Sequence, residues 1–188
     1  VGVQTWGETL ASLHVDGTAL SNTTTATSLF GTSVAAAAAK YSLPANYFRI
    51  GQQLLVKAAG RFSNVVTTPG NFTFDVRFGS TVVFNGGAIA VSTTAHTNVA
   101  FALEILLTCR AVGSGTTANL MGQGTWITEG LSATANVAAV ASLPVSAPAV
   151  GTGFDSTAAQ TVDLFGTWSV ANAANSVTVH QYALIGLN

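Results

Sequence analysis

Side chains that alternate strictly between apolar and polar leave a chain few options, because a period of two fits an extended strand with one dry face and fits no helix. Phe72–Phe78 is the clearest case. Phe72, Phe74, Val76 and Phe78 point one way and Thr73, Asp75 and Arg77 the other, so three phenyl rings enter one core from one strand. Val99–Arg110 repeats the pattern, with Val99, Phe101, Leu103, Ile105, Leu107 and Cys109 inward and Glu104, Thr108 and Arg110 outward; Leu106 breaks the polar face. Gln52–Phe62 sends Leu54, Val56, Ala58 and Phe62 inward and Lys57 and Arg61 outward, with Gly60 read as a bulge. Val162, Leu164, Gly166, Trp168 and Val170 define an inward face over Thr161–Val170, and Val177–Leu187 reads as the last strand.

Turn signals separate these runs. Thr68-Pro69-Gly70 closes one, and Asn85-Gly86-Gly87 reads as a tight hairpin between short strands at Thr81–Phe84 and Ala88–Val91. Gly113-Ser114-Gly115 and Gly122-Gln123-Gly124 read as turns or bulges around a strand at Ala118–Ile127, and a long, weakly structured connection spans Leu131–Ser156. About eight to ten strands and no long amphipathic helix make the chain all-β. A lone Cys109 removes the disulfide of an immunoglobulin domain, which leaves an antiparallel jelly-roll-like β-sandwich over residues 41–188. Trp126 and Trp168 fall on its inward faces.

The first forty residues differ. Leu13 and Val15 share one face of a short strand that ends at Asp16-Gly17, a Thr-rich stretch follows, and Ala35–Ala39 is a marginal helical run. Residues 1–40 read as an N-terminal extended arm or outer strands lying on the body or on a neighbour. The opening Val1-Gly2-Val3-Gln4 carries no Met, apolar signal core or basic leader, so it reads as a processed or trimmed end.

Charge decides which functions are in reach. Charged residues make up 7% of the 188 positions, against roughly 25% in an ordinary soluble protein, so most strand exteriors must be neutral. The six basic residues are scattered and matched by acids, which gives no electrostatic footprint for nucleic acid. The longest apolar run, Val99–Leu107, is broken by Glu104 and far shorter than the roughly 20 residues of a membrane span. His14, His96 and His180 lack metal-ligand spacing, and no nucleophile–base pair or phosphate loop is recognisable. The expectation is no catalysis, no metal, no cofactor, no nucleic acid and no membrane. A neutral exterior suits permanent protein contacts, since interface cores are depleted in charge. Trp6, Leu10, Leu13 and Leu106 are the candidate contact residues. Asp75, Arg77, Glu104 and Arg110 are expected to pair across strands if their strands are neighbours.

Two stretches carry a resemblance. The first runs from Leu43-Pro44-Ala45-Asn46-Tyr47-Phe48 through Ala59-Gly60-Arg61 and Thr68-Pro69-Gly70 to Arg77-Phe78-Gly79. The second runs from Phe154-Asp155-Ser156-Thr157 through Trp168 to Asn175-Ser176-Val177-Thr178-Val179-His180-Gln181. Over roughly residues 43–187 the chain resembles small β-rich virion structural proteins of tailed bacteriophages. That resemblance implies a capsid decoration (cement) protein or a tail-fibre module on the particle exterior, commonly a homotrimer, with the major capsid protein or other virion proteins as partners. A receptor- or carbohydrate-binding module of a fibre or spike is the alternative it implies.

Overall fold

A computed structural model describes residues 6–33 and 38–187. Two antiparallel sheets pack face to face. The larger runs in the order β1 (Gly7–Ser12), β13 (Ser176–Leu187), β5 (Gln53–Asn64), β9 (His96–Ala111), β10 (Asn119–Thr128), β11 (Ala139–Leu143), with β2 (Leu20–Ser21) also on β13. The smaller runs β3 (Thr27–Ser28), β12 (Gln160–Trp168), β6 (Asn71–Phe78), β7 (Thr81–Asn85), with β4 (Ser42–Leu43) on β12 and β8 (Ile89–Ala90) on β6. One 3-10 turn, Glu129–Leu131, follows β10.

The alternating residues do what their period requires. Phe72, Phe74, Val76 and Phe78 of β6 face Leu54, Val56 and Phe62 of β5 and Phe101, Leu103 and Ile105 of β9 across a dry interior. Its centre is aromatic: Phe72 has ring centroids of Phe74 at 4.8 Å, Trp168 at 4.7 Å and Trp126 at 5.9 Å. Edge-to-face contacts such as Phe72 with Phe74 and Trp168 add about 0.5–1.5 kcal/mol each beyond the area they bury. Trp126, Trp168 and Cys109 are fully buried.

Of the two readings of residues 1–40, the described part matches outer strands lying on the body: Gly7–Ser12, Leu20–Ser21 and Thr27–Ser28 pair in the sheets. Leu20, Leu29 and Phe30 are buried, and Gly17 N–H and Leu29 N–H donate to Val179 and Leu164 carbonyls at 2.8 and 2.9 Å. Two short strands, β2 and β3, hide in and beside that Thr-rich stretch because two-residue pairings are too brief to show a period. Residues 1–5 and 34–37, which hold the opening segment and most of the alanine run, lie outside the described residues.

The bulge expected at Gly60 belongs to its partner strand. Register slips between Val179 and Gln181, so His180 is the extra residue, and Gly60 is required because a Cβ there would lie 2.0 Å from the Thr178 carbonyl oxygen. Asn85-Gly86-Gly87 makes no hairpin: β7 and β8 both pair with β6, at opposite ends of it, and the glycines carry the chain between the two positions. Gly122 and Gly124 are neither turn nor bulge but strand residues inside β10, where a Cβ would meet the Phe84 ring at 2.2 Å and the Glu104 carbonyl oxygen at 2.1 Å. The stretch expected to be weakly structured supplies an edge strand, β11, whose Ala-Val-Ala-Ser-Leu sequence has too few β-branched residues to announce itself.

Candidate functional site

The outer face of the larger sheet can be built row by row from its register. One row crosses Ala183, Lys57, Glu104, Thr125 and Ser142; the next crosses Gln181, Ala59, Ala102, Ile127 and Val140. On the other side lie Thr9, Ile185, Leu55, Leu106 and Gln123, then Gly7, Leu187, Gln53, Thr108 and Met121. In these four rows the formal charges are Lys57 and Glu104, whose Nζ and Oε2 stand 3.0 Å apart. Both side chains are about half exposed, so the pair contributes little to stability, about 0–1 kcal/mol. Its effect is to leave a broad face electrically neutral.

The face is not flat. Ala59, Ala102 and Ala183 set its floor, and Lys57, Glu104, Gln181, Thr125 and Ile127 rise around them, leaving a shallow hollow of about 510 Å³. Ile127 and Val140 project beside it, 39% and 62% exposed. Beyond this area, the bulged His180 is clamped: its Nδ1 lies 2.7 Å from Asp16 Oδ1, and the Arg61 Nε–H donates to its Nε2 at 2.8 Å.

A second depression, about 690 Å³, opens at the end of the same sheet where β1 and β5 begin, lined by Trp6, Asn46, Tyr47, Arg49 and Gln52. Trp6 is 57% exposed. Burial, with Glu8 nearby, raises the Tyr47 phenol above its ordinary range.

The charged residues of the smaller sheet brace rather than open it. Asp75 holds Arg77 of its own strand, with Nη2 donating to Oδ2 at 3.1 Å, and the guanidinium lies 4.1 Å over the Phe165 ring. Asp163 accepts from the Ser28 hydroxyl at 2.8 Å and meets Lys40 Nζ at 3.0 Å; burial still holds its carboxyl above the usual range, against the pull of both partners. The condition for cross-strand pairing between Asp75 or Arg77 and Glu104 or Arg110 is not met, because β6 and β9 lie in different sheets; Arg77 pairs within its own strand and Glu104 with Lys57 of β5. Among the described residues no three His, Cys, Asp or Glu side chains converge as metal ligands would.

The four candidate contact residues are dispersed. Trp6 stands in the end depression and Leu106 is half-buried in the middle of the outer face, between Leu55 and Gln123. Leu10 and Leu13 instead lean onto the hydrophobic core. Leu10 lies at a β1 bulge whose slip turns it towards Gly186. Ala59, Ala102, Ile127 and Val140 were not singled out by sequence reasoning; the available signal was small or apolar residues at outward positions on neighbouring strands. No family model, no curated protein and no solved structure matches the chain.

Proposed function

We propose that the protein is a structural subunit that works by packing neutral sheet surface against other protein, as a decoration or minor capsid component on the exterior of a virus particle. The observation that carries this reading is the outer face of the larger sheet, four rows deep, with one self-cancelling ion pair and a floor of alanines. A face so depleted in charge suits repeated contacts among many copies.

The strand order supports the same reading. Eight strands, β1, β3, β5, β6, β7, β9, β12 and β13, numbered first to eighth along the chain, give 1-8-3-6 in one sheet and 2-7-4-5 in the other. That is the order two Greek keys produce when they close into a jelly roll, an architecture common in capsid proteins; β10 and β11 extend the first sheet. The phage-like turn residues point to the same class. Purified protein titrated into undecorated phage capsids should cosediment to saturation at a fixed ratio to capsomers. Absence of binding to any such particle removes the assignment.

One observation favours a second reading, a glycan-binding module. The end depression pairs an exposed indole with a phenol, a guanidinium and two carboxamides, the groups that stack on and hydrogen-bond to sugar rings. Glycan-array binding that is lost in Trp6→Ala, without particle binding, is its signature.

A further inference from the structure

We propose that the outer face of the larger sheet docks on the same face of a second copy, about a twofold axis running parallel to the strands along the seam between β5 and β9. The inference rests on the packing role given above and names the partner for that surface.

The register makes the face self-complementary about this seam and about no neighbouring one. Six strands lie in the order β1, β13, β5, β9, β10, β11, so the seam has three on each side. A twofold axis along it lays β5 over the partner's β9, β13 over its β10 and β1 over its β11, while keeping each row on itself. Lys57 then faces the partner's Glu104, and Glu104 the partner's Lys57, because the two are directly opposed across the seam. In the next row Leu55 meets the partner's Leu106, and beyond it Gln53 meets the partner's Thr108. On the other side Ala59 faces the partner's Ala102, and the projecting Ile127 stands over the partner's Gln181 at the rim of the alanine-floored hollow. An axis lying across the strands would set Lys57 on the partner's Lys57, so the charges select the orientation as well as the partner.

The size is right. Four rows of five residues, at about 4.8 Å between strands and about 6.6 Å between rows, cover about 630 Å², within the roughly 600–1,000 Å² per partner of a stable interface. Sheets packed this way cross at about 30°, which concentrates contact on the central rows and lets the corners splay. Those central rows hold the alternating square of two lysines and two glutamates. An isologous contact of this kind uses one patch twice and closes on itself.

Light scattering after size exclusion at about 100 µM should read twice the chain mass of 19.0 kDa. Lys57→Glu alone makes the central square all negative and Glu104→Lys alone makes it all positive, so each should weaken self-association at least tenfold. An equimolar mixture of the two variants should recover a heterodimer, and the double variant K57E/E104K should recover a homodimer. All four proteins keep the fold if circular dichroism is unchanged, which substitutions at half-exposed positions allow. A monomer at that concentration, a trimer, or a dimer indifferent to the swaps overturns the twofold contact. A monomer that still saturates capsids leaves the packing role standing without self-pairing; a charge-sensitive dimer that binds no particle does the converse.

Discussion

Gly122 gives the sharpest test of how the two sheets meet. It lies inside β10, where glycine is ordinarily a weakness: replacing it with alanine in a strand should gain about 0.5–1 kcal/mol from reduced backbone freedom. Here the sign should reverse. A Cβ at 122 would stand 2.2 and 2.9 Å from two carbons of the Phe84 ring and 2.9 Å from a Leu107 methyl, and Phe84 is buried on β7 of the opposite sheet. The ring must move by more than 1 Å in a packed interior, and overpacking of this kind costs about 1–3 kcal/mol. The net expectation for Gly122→Ala is a loss of about 1–2 kcal/mol. That corresponds to a fall in Tm of about 2–8 °C for a chain of this length.

The mechanism is isolated by repeating the substitution where the ring is gone. Phe84→Ala alone should cost about 3–5 kcal/mol, and in that background Gly122→Ala should stabilise by about 1 kcal/mol, since its methyl now enters a void. Urea unfolding followed by the fluorescence of the buried Trp126 and Trp168 measures all four corners of the cycle. Coupling of about 2–3 kcal/mol is the expected result. If Gly122→Ala is neutral or stabilising with Phe84 in place, the close approach of the sheets at this point is refuted.

Three further outcomes follow from buried polar groups. Asn175 is fully buried, accepts from Val65 N–H at 2.9 Å and donates to the Pro69 carbonyl at 2.9 Å, joining two loops at one end of the sandwich; Asn175→Ala should lower stability by about 2–4 kcal/mol in urea melts. Tyr182 is buried with its hydroxyl unbonded, and burial drives its phenol far above the ordinary range, so Tyr182→Phe should leave stability unchanged or raise it by about 1 kcal/mol. Asp163 has a folded pKa raised by burial, so its contribution is fully present below about pH 4 and lost as pH rises through the folded value. The Tm advantage of Asp163→Asn over the wild type should therefore widen between pH 4 and 7; a gap that narrows would mean that Lys40 and Ser28 outweigh desolvation.

The long strands were legible because each has one dry face, and Phe72, Phe74, Val76 and Phe78 announce it without help from any other part of the chain. What the sequence hid depends on partners far along it. Gly60 signals a local irregularity, but whether the extra residue stands there or at His180 is decided across a strand pair more than one hundred residues apart in sequence. Gly122 and Gly124 read as punctuation because the reason for them, the Phe84 ring and the Glu104 carbonyl, belongs to other strands. The outer face of the larger sheet was harder still. Ala59, Ala102 and Ala183 carry no message singly, and become a floor only when β5, β9 and β13 align them. Lys57 and Glu104 were each visible as outward charges, while their opposition is a property of register.

Strand β13 occupies a slot between β1 and β5, so the gap it fills is flanked by segments made long before it. During synthesis the growing chain must hold two raw hydrogen-bonding borders apart until this final piece arrives, and each is a template for strands of other molecules. The same wiring makes folding a matter of distant closures and therefore slow. Chains cut short before position 176 should accumulate as aggregates, with damage out of proportion to the twelve residues of β13 that they lack.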